Sequence, residues 1–145
     1  MLILILAAVQ AVVAAPTLMP APAPAPASWR TRPFSAGAWT WRNSADASEA
    51  LFSDSRGVQL IVRCTRATRQ VSFSRTGAMP AALIRIATTS SERLLPAGNM
   101  VLANDPLLDA IAFSRGRLWV DVHGGPPLVL RSAPEPARSV EDCRG

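Results

Sequence analysis

The chain has no lysine and no tyrosine, a single histidine (His123) and only two cysteines, Cys64 and Cys143. Each scarcity closes off a class of chemistry. One His and two Cys, with no Cys-x-x-Cys, do not supply the ligand set of a structural zinc site or a vicinal redox pair. His123-Gly124-Gly125 resembles an esterase oxyanion loop, but there is no Gly-x-Ser-x-Gly nucleophile and no second His to act as base. Because lysine is missing, all fifteen basic residues are arginine. This reads first as coding bias and second as use of the bidentate guanidinium fork. No motif calls for a cofactor or a metal.

Charge is missing from the start of the chain, where no charged side chain precedes Arg30. Met1 to Ala15 (MLILILAAVQAVVAA) is apolar except for Gln10. At about 1.5 Å per residue it covers roughly 21 Å, short of the ~30 Å hydrocarbon core of a bilayer. A short apolar run closed by small residues is the pattern of a cleaved secretion signal, with cleavage expected at the Ala14/Ala15 bond. The one departure is that only the terminal amine supplies positive charge there. Residues 16–28 are rich in Ala and Pro, and Pro20 to Ala27 reads PAPAPAPA. Alternating proline removes backbone donors and fixes φ, so this stretch is expected as a polyproline II spacer about 25 Å long. Residues 29–145 are then one domain, long enough to bury an ordinary core. Once the signal is removed, no segment is expected to span a membrane.

Alternation dominates that domain. Trp39 and Trp41 share one face of a first strand. Asn43 to Ser48 reads as loop and Ala50 to Ser53 as a short strand. Val58 to Cys64 puts Val58, Leu60, Val62 and Cys64 on one face. Arg69 to Arg75 puts Val71 and Phe73 inward, completing an antiparallel hairpin. Leu83 to Thr88 has Ile84 and Ile86 inward and Arg85 outward. Glu92 to Leu95 and Met100 to Ala103 are apolar scraps around a Pro-Ala-Gly-Asn turn. Asn104-Asp105-Pro106 is a helix start, followed by a stripe of Leu107, Leu108 and Ile111, with Gly116 placed to end the helix. Arg117 to His123 and Leu128 to Arg131 form a last hairpin. Glu135 to Arg144 forms a terminal helix with Ala137, Val140 and Cys143 at helical spacing. The expected fold is mainly β (α+β): six to eight strands in a small antiparallel sheet or sandwich, with an internal and a C-terminal helix covering an open side.

In an oxidising compartment an even count of two cysteines is most simply one disulfide, Cys64–Cys143. Catalytic sets are thin. Asp121 could orient His123 only from two positions away on the same strand, with no serine marked as nucleophile. Asp105 reads as a helix cap, Asp109 as facing solvent or Arg115, and Glu141–Asp142 as an adjacent pair without a cleft. Arg63, Arg66, Arg69, Arg75 and Arg85 gather in the central strands as the alternating outer set. Arg63, Arg66, Arg69 and Arg85 are the candidate face for an anionic ligand, weighed against a plain solvated face.

The runs Asp105–Arg117, Leu128–Leu130 and Pro134–Arg144, with an early Trp, a Leu-x-x-x-Cys strand at Leu60–Cys64 and the closing Glu-Asp-Cys-Arg, resemble a group of exported alphaproteobacterial proteins to which no activity is assigned. A looser likeness, resting on architecture and a paired cysteine, is to the invasion-associated locus B proteins. The resemblance implies an exported domain, periplasmic or secreted. Export, the missing catalytic sets and the Arg-rich strands together lead to a non-enzymatic envelope module that binds another protein or an anionic envelope component. Nucleic acid is the less favoured partner. The rival reading is a small periplasmic hydrolase with a dispersed site, for which an apolar cleft lined by Asp109, Asp121 or His123 would speak.

Overall fold

In a computed structural model, which describes residues 19–145, the chain forms nine strands and two α-helices. The apolar run at residues 1–15, read from the sequence as a signal, and the cleavage expected there lie outside the described residues. The strands are β1 (Ala38–Asn43), β2 (Ala47–Asp54), β3 (Gly57–Thr65), β4 (Gln70–Arg75), β5 (Ile84–Ala87), β6 (Glu92–Leu94), β7 (Met100–Leu102), β8 (Arg117–Val122) and β9 (Leu128–Arg131). The helices are α1 (Pro106–Ala112) and α2 (Pro134–Arg144). One sheet has the order β1-β2-β3-β4-β7, the other β6-β5-β8-β9, and every pairing is antiparallel.

Register makes the inner face of the five-stranded sheet a set of rows. Trp39, Phe52, Leu60 and Arg75 lie in one row, Trp41, Ala50, Val62 and Phe73 in the next, and Ser48, Cys64, Val71 and Val101 in a third. Ile84, Ile86, Leu118, Val120, Val122, Leu128 and Leu130 of the second sheet belong to the same buried core, together with Leu107, Leu108 and Ile111 of α1 and Val140 of α2. The molecule is a two-sheet sandwich to whose core both helices contribute one face. The period-two alternation legible in β3, β4, β5 and β8 marks these inward positions.

Several elements differ from the sequence reading. The chain has nine strands rather than six to eight, because the two apolar scraps form the edge strands β6 and β7. The expected loop at Asn43–Ser48 shrinks to a turn, since β2 begins at Ala47; its first six residues are all buried. Asp105 does cap α1, accepting from Leu107 N at 2.9 Å. Gly116 does not end that helix. The helix ends at Ala112 with Phe113 as its cap, and Gly116 uses its φ of +91° in the turn into β8. On α2 the buried residues are Pro136, Ser139, Val140 and Cys143, and Ala137 is only half-buried.

The Ala/Pro segment does not stand off. Pro22 is buried and accepts from Arg85 Nε at 3.0 Å, and Ala25 N donates to Glu92 at 2.8 Å. A short 3-10 turn, Ala27–Thr31, then places Trp29 on the outer face of the second sheet. There Trp29 packs with Ala87, Trp119 and Val129, flanked by Ala25 and Phe34. Ser35 fastens the strap to the β9 edge through Ser35 N→Val129 O (2.8 Å) and Val129 N→Ser35 Oγ (3.0 Å). Proline lacks donors but keeps its carbonyls, and these are what Arg85 uses.

Candidate functional site

The sulfurs of Cys64 and Cys143 lie at bonding distance, with Cα atoms 5.4 Å apart, and form the disulfide that ties α2 to β3. Both residues are buried.

The four candidate arginines divide. Arg63 stands on the outer face of β3, where it and Arg42 both hold Glu49 (Arg63–Glu49, 2.6 Å). Arg66 and Arg69 lie in the β3–β4 turn. Arg66 donates to Asp142 O at 3.1 Å and to Asn43 Oδ1, and Arg69 donates to Gly145 O at 3.2 Å. These two satisfy carbonyls at the C-terminal end of α2, where a helix has orphan acceptors and the negative end of its dipole. Arg85 is on the other sheet, clipped to Pro22 and Glu92. The structure therefore brings Arg63, Arg66 and Arg69 to one end of the molecule, engaged with the protein itself, and separates Arg85 from them. Arg75, grouped with the outer set in the sequence, is buried at the end of an inner row.

The carboxylates are engaged too. Asp105 receives both guanidinium nitrogens of Arg93, at 2.7 and 2.8 Å. The Arg93 hydrogen bond, opposed by partial burial, holds its carboxyl below the ordinary range. Asp109 does line a cleft of about 480 Å³ with Arg69, Leu102, Cys143 and Arg144. Its carboxylate is 2.8 Å from Arg144. Asp121 and His123 are not in that cleft. Asp121 accepts from Val122 N at 2.9 Å, and burial raises its pKa against the hydrogen bond and the nearby charges of Arg75, Arg85 and His123. No group of three or more His, Cys, Asp or Glu suited to a metal occurs among the described residues.

Accounting for arginine by arginine exposes what the sequence reading passed over. Arg42, Arg56, Arg63, Arg85, Arg93 and Arg144 pair with carboxylates. Among the described residues the other nine have no ion pair: Arg66, Arg69 and Arg75 donate to carbonyls, Arg138 lies 3.6 Å over the Trp41 ring, and Arg30, Arg32, Arg115, Arg117 and Arg131 remain. Arg30 and Arg32 lie on the strap, and Arg115 and Arg117 lead into β8. Arg131 ends β9 directly opposite Arg117. The guanidinium carbons of Arg117 and Arg131 each stand 4.0 Å from the centre of the Phe34 ring. Arg117 also donates to Arg32 O at 2.6 Å, and Arg30 lies 5.0 Å over the Trp29 ring.

Like charges directly opposite each other on paired strands are destabilising. The Phe34 ring offsets this by about 0.5–1 kcal/mol per contact at an exposed site, but it brings no negative charge. The patch is therefore an unneutralised cationic surface around an aromatic anchor. The legible signal was the run Trp29-Arg30-Thr31-Arg32-Pro33-Phe34, basic residues between aromatic ones, in a chain whose first carboxylate is Asp46.

Compared with protein families, curated proteins and solved structures, the chain matches none.

Proposed function

We propose that this chain is an exported, non-enzymatic binding module of the cell envelope, periplasmic or secreted, like the alphaproteobacterial group it resembles. It docks on anionic phospholipid headgroups through Arg30, Arg32, Arg115, Arg117 and Arg131. One observation carries this reading: Arg117 and Arg131, which have no ion pair among the described residues, stand opposite each other over Phe34, with the strap's Arg32 joined to Arg117 through its main-chain carbonyl. The Cys64–Cys143 bond is compatible with an oxidising compartment. No helix of the described residues is long and apolar enough to cross a membrane, and the surface reading needs none.

The hydrolase reading has the Asp109 cleft in its favour, but Asp109 is held there by Arg144.

Co-sedimentation of the mature chain with phosphatidylglycerol vesicles tests the proposal, with phosphatidylcholine vesicles as the neutral control. Binding is expected to require the anionic lipid and to fall steeply with salt. Each arginine near an anionic surface contributes about 1 kcal/mol, so Arg117→Ala with Arg131→Ala should weaken binding about thirtyfold. Arg63→Ala with Arg66→Ala should change it little. Equal binding to both vesicle types, or loss only in the second pair of variants, would refute the assignment.

A further inference from the structure

We propose a second, separate site: the cleft between the end of β4 and the loops 76–82 and 96–99 binds a small organic carboxylate, with Arg75 as its anchor. Arg75 is only 7% exposed. Its Nη1 donates to Gln59 O (3.0 Å), Gln59 Oε1 (3.2 Å) and Thr76 O (3.0 Å), and its Nη2 donates to Pro126 O (2.9 Å). Every one of these acceptors is neutral. Among the described residues Arg75 has no ion pair, and its Nε has no partner at all. Asp54 is already paired with Arg56 at 2.7 Å, and both Asp54 and Asp121 reach Arg75 only at longer range, outside ion-pair contact. A buried guanidinium with no carboxylate in contact is an expensive arrangement, and a bound carboxylate would complete it.

The surroundings are those of a binding cleft. It holds about 370 Å³ and is lined by Phe73, Met79, Ala82 and Ile84 beside Arg75, within the usual size of small-molecule sites. Two of its lining residues are non-glycines in the left-handed region, Ala81 at φ +60° and Asn99 at φ +51°. Strain of this kind persists only where the surrounding structure enforces it. At Asn99 the enforcement is visible: Oδ1 accepts from Ile84 N (2.8 Å), Nδ2 donates to Ala82 O (2.8 Å), and the main-chain carbonyl accepts from Phe73 N (2.9 Å). The free Nε–H and the second Nη2 proton suit the two oxygens of a planar carboxylate, and the walls suit a short apolar body. Since Nε lies below the surface, the half-exposed thioether of Met79 is the wall that yields.

Hexanoate is the probe, and hexanol its uncharged counterpart. In amide chemical-shift titrations of the mature chain, hexanoate is expected to move Ala78–Ile84 and Asn99 saturably, with hexanol at least about tenfold weaker. Arg75→Gln should abolish the difference between them. Because that variant removes a buried hydrogen-bonding hub and could fail to fold, Ala97→Trp serves as the second test, filling the cleft from an exposed turn while Arg75 stays. It should block hexanoate. The Arg117→Ala, Arg131→Ala double variant should bind hexanoate normally, which separates this site from the lipid-facing patch. No saturable shift, equal response to hexanol, or undiminished binding by Ala97→Trp would overturn the proposal.

Discussion

Glu49 shows how single residues on this sheet are decided by their neighbours. It faces outward from β2 yet is buried, with Arg42 on one neighbouring strand and Arg63 on the other. Burial alone would push its pKa up, but the two arginine hydrogen bonds outweigh it and the carboxyl titrates below the ordinary 4.5. A depressed folded-state pKa means the pairing stabilises fully above the unfolded value and is lost as pH falls through the folded one. Glu49→Gln should therefore cost about 1–2 kcal/mol at neutral pH, and the gap to the parent should close progressively below pH 4.5. Urea unfolding across that range measures it, and a gap that stays constant with pH would show that charge is not the cause. Arg75 marks what parity alone leaves open. Continuing from Val71 and Phe73, its position is inward, and a charge there is accommodated by Gln59 and by Thr76 O and Pro126 O, the last two supplied from turns. No local pattern announces those carbonyls.

At the level of elements, the helices were legible from their ends. Asn104-Asp105-Pro106 carries both a cap and a first-turn proline, and Asp105 doubles as the anchor of Arg93 on β6. Asp105→Ala removes both roles and should cost about 1–2 kcal/mol, the size of a lost cap, with Asp105→Asn recovering the cap but not the ion pair. The edge strands β6 and β7, three residues each, are too short to show a period, and only pairing with β5 and β4 defines them. For α2, the stripe expected from Ala137, Val140 and Cys143 rotates toward Pro136 and Ser139, because the disulfide fixes which side faces β3. The bond closes a 79-residue separation, for which loop entropy gives about 4–5 kcal/mol as an upper figure. Cys143→Ser should lower stability by roughly 2–5 kcal/mol and speed proteolysis within α2. Val140, Arg66 to Asp142 O and Arg144 to Ala103 O remain as noncovalent holds, so the folded sandwich should survive. A variant as stable as the parent would show the bond to be idle.

For the whole molecule, alternation identified the inward faces but not which strands share a sheet. The pairings of β4 with β7 and of β5 with β8 join strands distant in sequence, and long-range register leaves no local trace. The same holds for the strap. Its composition reads as a spacer, and its docking depends on a bare outer surface of Ala87, Trp119 and Val129 that exists only once the second sheet has formed. The strap adds no strand to either sheet, and the cluster around Trp29 is distinct from the central core. Losing Trp29 should then release the strap without unfolding the sandwich. Truncation of a buried Trp costs about 3–5 kcal/mol, enough to reverse the docking of a segment held otherwise by a few hydrogen bonds. In Trp29→Ala, trypsin should cut rapidly after Arg30, the Arg32–Pro33 bond being resistant to it, while the urea midpoint of the domain shifts little. Binding to phosphatidylglycerol vesicles should fall alongside, since Arg30, Arg32 and Phe34 leave the patch with the strap and the Arg117–Arg131 pair loses its ring. If strap cleavage instead appeared only at the global unfolding midpoint, the strap would be an integral part of the core. If cleavage rose and vesicle binding did not change, Arg117 and Arg131 would suffice without it.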